Sequence, residues 1–183
     1  MKTLWLSLAI TLLFSSDFIA QIKMDVGFDR LLKELELAFN EPTENRYKTI
    51  NRSNNNFYNC DFSIKCKNDD LEIRYSIFRI YETESEVIFP HILSMNTVHH
   101  LASNQNDSEI VVHSVPEETL KNQFNADWAA VFYFTPKSQF SSKRNCKLLV
   151  IYKEGKGLVY TFFLFNNPSI ELDHQFYSLS FDK

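Results

Sequence analysis

A chain of 183 residues is long enough to bury a genuine core within one domain. Hydrophobic residues make up 44% of it, including 17 phenylalanines, which excludes disorder over most of its length. The formal charge of -4 speaks against nucleic acid as the main partner, because phosphate neutralisation needs clustered Lys and Arg. The longest basic cluster, Lys143-Arg144 with Lys147, reads as a solvated loop.

The first twenty residues have the order of a secretory signal. Lys2 supplies the positive start, residues 4–14 are apolar apart from Ser7 and Thr11, and Ala20 can precede a cut before Gln21. Eleven residues fall short of the roughly 20 that span a bilayer, so cleavage is favoured over anchoring. Bulky Phe18 weakens the placement of the cut but not the expectation of export. Removing this segment takes away Lys2 and Asp17 and leaves the charge unchanged. The mature chain, 21–183, is expected to be secreted or periplasmic with no stable membrane span.

Residues 28–39 carry apolar side chains at 28, 31, 32, 35, 38 and 39, which predicts a helix ended by Asn40-Glu41-Pro42. Residues 46–51 suit a short strand, and Asn54-Asn55-Asn56 a turn. Tyr58, Cys60, Phe62, Ile64 and Cys66 then share one parity, predicting a strand with one wet face. After a turn at residues 67–70, Leu71, Ile73, Tyr75 and Ile77 alternate with Glu72, Arg74 and Ser76. That predicts a second, antiparallel strand beside the first. Asp69-Asp70 is a polar turn, since no EF-hand spacing is present.

An acidic run at residues 82–86 precedes a predicted helix over 90–103, with Pro90 in its first turn and Ile92, Met95, Val98, Leu101 and Ala102 on one side. His91 and His99 lie eight apart near one face, with His100 adjacent. A metal there would need another ligand, such as His113, and half-buried or surface histidines are the plainer reading. Residues 109–115 predict a short strand and 116–124 a short helix opened by Pro116.

The stretch from 127 to 166 holds three dense apolar strands, WAAVFYF, LLVIY and LVYTFFLF. Apolar residues on both parities suit strands covered on both faces. Lys153-Glu154-Gly155-Lys156-Gly157 joins the last two as a hairpin turn, since glycine tolerates the positive φ that such turns need. Ser169 caps a predicted terminal helix over 170–179.

Export makes a disulfide possible among Cys60, Cys66 and Cys146. Cys60 and Cys66 are too far apart on one extended strand, whereas a bridge from either to Cys146 is open. Buried free thiols behaving as small apolar groups are an equal alternative. Asn51-Arg52-Ser53 and Asn106-Asp107-Ser108 are glycosylation sequons. No CxxC, HExxH or GxSxG motif and no phosphate-loop spacing occurs, and His174 near Glu171 and Asp173 reads as helix polarity. No catalytic, cofactor-binding or metal residue is therefore nominated.

The C-terminal half has ADW at Ala126 to Trp128, a loop, a hairpin and a capped helix ending in LSF at Leu179 to Phe181. Over residues 110–183 it resembles the Mog1/PsbP-like fold. The resemblance implies a central antiparallel sheet with helices on its faces, and it transfers no role. The expected fold is a single α+β domain with a mostly antiparallel sheet of five to seven strands covered by helices, an α/β/α sandwich. The expected function is that of an exported, non-catalytic binding or accessory protein whose protein or small-molecule partner is unknown. The rivals are an exported hydrolase without a visible motif and a carrier of a small apolar ligand.

Overall fold

The computed structural model describes residues 22–42, 47–50, 57–80, 89–105 and 108–183. Residues 1–20, read as a secretory signal, residues 54–56, read as a turn, the acidic run at 82–86 and both sequon asparagines lie outside these residues.

Helix α1, Val26–Glu34, begins where the Asp25 carboxylate accepts a hydrogen bond from the Gly27 N–H at 2.7 Å, satisfying a donor that the helix itself cannot pair. Phe28 and Leu32 are its buried stripe. The helix ends five residues before Phe39, correcting the expected 28–39 span. Glu36 turns left-handed at φ 51° and the chain reverses into strand β1, Leu37–Phe39. Spacing that fits a helical face at Leu35, Ala38 and Phe39 also fits a strand here. What decides is the partner at the other end of the chain: β1 pairs antiparallel with β9, Leu179–Phe181. The predicted terminal helix over 170–179 yields for the same reason. It shrinks to α4, Asp173–Phe176, with Leu172 rather than Ser169 at its start, and the chain then extends into β9.

Seven strands make the main sheet: β2 (Tyr47–Thr49), β3 (Phe62–Cys66), β4 (Leu71–Arg79), β5 (Val111–Ser114), β6 (Trp128–Phe134), β7 (Asn145–Lys153) and β8 (Gly157–Phe165). Their order is β2-β3-β4-β8-β7-β6-β5, with every pairing antiparallel, so the molecule is of the α+β class. Strand β8 lies in the middle, and all nine of its residues are buried. That is why its sequence shows no alternation: neither face meets water. A three-residue turn joins it to β7. Gly155 there has φ 70°. At Gly157, with φ 153°, a Cβ would lie 2.2 Å from the carbonyl oxygen of Phe78. Both glycines are demanded by the turn.

Each face of the sheet carries its own core. On the first, Phe62, Ile64, Ile73, Tyr75 and Phe163 pack with Phe28 and Leu32 of α1 and with β1 and β9. Phe28 stacks on Phe62 with ring centroids 4.7 Å apart. On the second, Phe132, Leu148, Val150, Tyr160 and Phe162 pack with Val98 and Leu101 of helix α2, Pro90–Leu101. Ile92, expected on the buried side of α2, is instead exposed. Helix α3, Glu117–Thr119, widens into one π turn over Leu120–Phe124 and stops at left-handed Asn125, φ 47°.

The expected wet face of β3 is not wet, and the polar parity of β4 is covered as well. Ser63, Arg74 and Ser76 are buried. Nor does β3 begin at Tyr58. The Asp61 carboxylate accepts from the Ile77 N–H at 2.8 Å while its own N–H donates to the Tyr75 carbonyl at 2.8 Å, and regular pairing starts only at Phe62. Residues 58 and 60 cross to the second core, where the Tyr58 ring meets Phe162 edge-on at 5.4 Å.

Candidate functional site

Between β6 and β7 runs TPKSQFSSKR, residues 135–144, three cations with no acid. Its first half is tied to the C-terminal end of α2. The Ser103 N–H donates to the Thr135 carbonyl at 2.7 Å, the Lys137 N–H donates to the Leu101 carbonyl at 2.8 Å, and Ala102 and Pro136 form an antiparallel bridge. The Phe140 and Ser141 N–H groups then both donate back to the Lys137 carbonyl, at 2.9 and 3.0 Å, which closes a turn.

Phe140 pins the middle of the loop. Its ring is buried in the second core and meets Phe162 at 5.1 Å. Arg74 of β4 reaches it from below: Nη1 donates to the Phe140 carbonyl at 2.8 Å, and the guanidinium carbon lies 5.0 Å from the ring centroid. Glu72, two residues away on the same strand and so on the same face, accepts from Arg74 Nε at 2.5 Å. The buried guanidinium is thus paired, which a charge at this depth requires.

The second half of the loop is held by the β3–β4 turn. Asp70 accepts from Lys143 Nζ and from the Asn166 side-chain amide, and the Arg144 N–H donates to Asn166 Oδ1 at 3.0 Å. The Lys143 contact is the main reason the Asp70 carboxyl sits below its ordinary value, with Asn166 and Lys65 adding to it.

Beside these ties lies an open cleft of about 330 Å³ bordered largely by polar and cationic residues. Hydroxyls come from Ser103, Thr135, Ser138, Ser141 and Ser142, and amides from Gln105 and Gln139. Lys137, Lys143 and Arg144 supply the charge, and among the described residues no carboxylate or imidazole lines the space. Lys137 Nζ donates to the carbonyls of His100 at 2.7 Å and His99 at 3.4 Å, the negative end of α2. Among the described residues Arg144 makes no ion pair.

The residues weighed from sequence do not converge. His91 lies against Phe89, His100 stacks on Phe57 at 4.6 Å, and His113 stands on β5 beside Tyr133 at 5.5 Å. No three or more His, Cys, Asp or Glu among the described residues are placed to hold one metal ion. His174 is exposed on α4. Asp70, weighed with Asp69 as a plain turn residue, holds the cleft loop.

None of the three cysteines is joined in a disulfide. Cys60 and Cys66 do not share a parity as expected, because the chain crosses faces at Asp61. Cys66 lies in the first core, Cys60 and Cys146 in the second. The sheet therefore separates Cys66 from Cys146 and rules out that bridge. Burial pushes the Cys146 thiol well above its ordinary value, against a smaller opposing effect of Arg74.

Sequence reading missed this cleft by treating Lys143, Arg144 and Lys147 as one solvated cluster. The strand pleat divides them. Lys147 points to the first face, its ammonium 4.5 Å from the Phe176 ring centroid and 5.5 Å from that of Tyr133. The Lys143 side chain is only 10% exposed, and Arg144 faces the cleft. The legible signal was a ten-residue connection rich in hydroxyls and cations, free of acid, in a chain of net negative charge.

No family model, no characterised protein and no solved structure matches this chain. Among the described residues no helix is long and apolar enough to cross a membrane.

Proposed function

We propose that the chain is an exported, non-catalytic binding or accessory protein, and that the cleft beneath residues 135–144 is its ligand site. One observation supports the reading: the described residues of this donor-bearing surface include no imidazole or carboxylate to take a proton. A serine or threonine hydroxyl is a weak nucleophile unless a base lies within hydrogen-bond reach, and the described lining residues include neither imidazole nor carboxylate. The same groups suffice to hold a polar ligand. The loop is preorganised by Arg74, Asp70 and the end of α2, which limits the ordering cost of binding. Export rests on the order of residues 1–20. Helical layers on both faces of the sheet, and the Mog1/PsbP-like likeness of residues 110–183, belong to the same reading.

Native mass spectrometry of the protein purified from its own host tests it. The expected spectrum has a small adduct at one per chain, absent from a Ser142→Trp variant that fills the cleft. A bare wild-type mass would remove the binding reading. An adduct retained by the variant would place the ligand elsewhere.

A further inference from the structure

We infer that the group seated in this cleft is a tetrahedral oxyanion, a phosphate or sulfate carried free or as a monoester. The inference rests on the cleft being the ligand site and adds its chemistry.

The lining is unbalanced in one direction. Its charged side chains are all cationic. The nearest carboxylate tied to them, Asp70, already accepts from Lys143 and Asn166 and so offsets a single charge. Lys137 directs its ammonium at two backbone carbonyls, which carry only partial charge and leave its full charge in place. The cleft thus keeps a surplus of about two positive charges, by the counting used for local fields, within a chain whose total is -4. An anion repelled by the rest of the surface meets attraction here.

The form of the donors narrows the class. Arg144 presents a planar fork of N–H groups suited to two oxygens of one phosphate or sulfate, and it makes no ion pair among the described residues. Ser138, Ser141 and Ser142 line the same space, and a serine hydroxyl can turn its proton toward an oxygen. A fork of N–H groups together with several rotatable hydroxyls can serve all four oxygens of a tetrahedral group, where a flat carboxylate offers two. The volume of about 330 Å³ admits a small ester. A nucleic-acid strand would need an extended cationic track, and these three cations sit in one short loop.

The test is isothermal titration of the full chain with inorganic phosphate, inorganic sulfate and phenyl phosphate, at fixed ionic strength, with chloride as the control anion. Saturable binding at one site per chain is expected for at least one of the three. The affinity should fall about tenfold or more in Arg144→Gln, the loss typical of a hydrogen bond to a charged group. Arg144→Lys should regain part of it, because charge returns without the fork. Tighter binding of phenyl phosphate than of either inorganic ion would identify the ester as the form taken, and the reverse order the free ion.

Unfolding midpoints of the variants, matched to wild type, exclude loss through misfolding, and Arg144 is exposed enough for that match to be expected. No saturable binding of any probe, with the native adduct still lost in Ser142→Trp, would overturn the oxyanion while sparing the site. No probe binding and no adduct would overturn both. Binding undiminished in Arg144→Gln would also refute the assignment.

Discussion

Arg74→Met should loosen the cleft from beneath without touching its lining. The Arg74 and Glu72 side chains are 10% and 14% exposed, so they form a nearly buried pair. Removing one partner of a buried pair costs about 3–5 kcal/mol, because the other is left charged and unpaired. The residual exposure of Glu72 lets water reach it, which lowers the expected cost to about 2–4 kcal/mol. The Phe140 carbonyl loses its charged donor in the same step, and that loss lies within the total rather than above it. For a chain of this size each kcal/mol moves the melting temperature by about 2–4 °C, so the variant should melt roughly 5–15 °C lower. Amide exchange adds a local readout. The Phe140 and Ser141 N–H groups, both bonded to the Lys137 carbonyl, should exchange faster than those of β8. Glu72→Leu combined with Arg74→Met should recover much of the loss, since an apolar pair needs no counter-charge. A cost under about 1 kcal/mol, with exchange at Phe140 and Ser141 unchanged, would refute the claim that Arg74 pins the loop.

Gly157→Ala should cost about 2–4 kcal/mol, from backbone strain and displacement of the Phe78 carbonyl, while Gly155→Ala should cost only about 1 kcal/mol; equal urea midpoints for the two would contradict the steric account. Asp70 has a lowered native pKa, so its contribution is present above the ordinary carboxylate value of about 3.9 and is lost as pH falls through the native one. Asp70→Asn should therefore be less stable than wild type near neutrality and converge with it in acid, and a constant gap across a urea series from pH 6 downward would disprove the linkage.

Much of the sheet was legible because its strands announce themselves by composition. WAAVFYF and LVYTFFLF are short, aromatic runs apolar on both parities, which favours covered strands over a buried helix, and Gly155 and Gly157 point to the hairpin between the latter and its neighbour; of the first run only Tyr133 is exposed. The errors fall where a local pattern had two solutions and a distant partner chose. Residues 37–39 carry helical spacing, yet they pair with residues 179–181, at the far end of the chain. The run from Tyr58 to Cys66 alternates without a break, yet Asp61 turns its side chain to a backbone N–H of β4 and moves Tyr58 and Cys60 to the opposite core. No window of a dozen residues contains either partner.

The cleft was invisible for a related reason. Alternation along β4 marks Glu72, Arg74 and Ser76 only as a polar parity, and such a parity opposite an apolar face usually meets water. In the fold that parity faces the second core and is closed over by residues 57–60 and by the loop holding Phe140. A buried polar row must find partners, and these partners are backbone atoms of segments that lack regular structure: the Asn59 carbonyl for Ser76 and the Phe140 carbonyl for Arg74. The polar parity of β4 therefore acts as a set of anchors for loops rather than as a solvated face. Since the anchored loop carries the donors of the cleft, occupancy of the site and the integrity of β4 are linked. A ligand that binds only the ordered loop stabilises the fold in proportion to RT ln(1 + [L]/Kd), and a weakened anchor lowers affinity without altering a single lining residue.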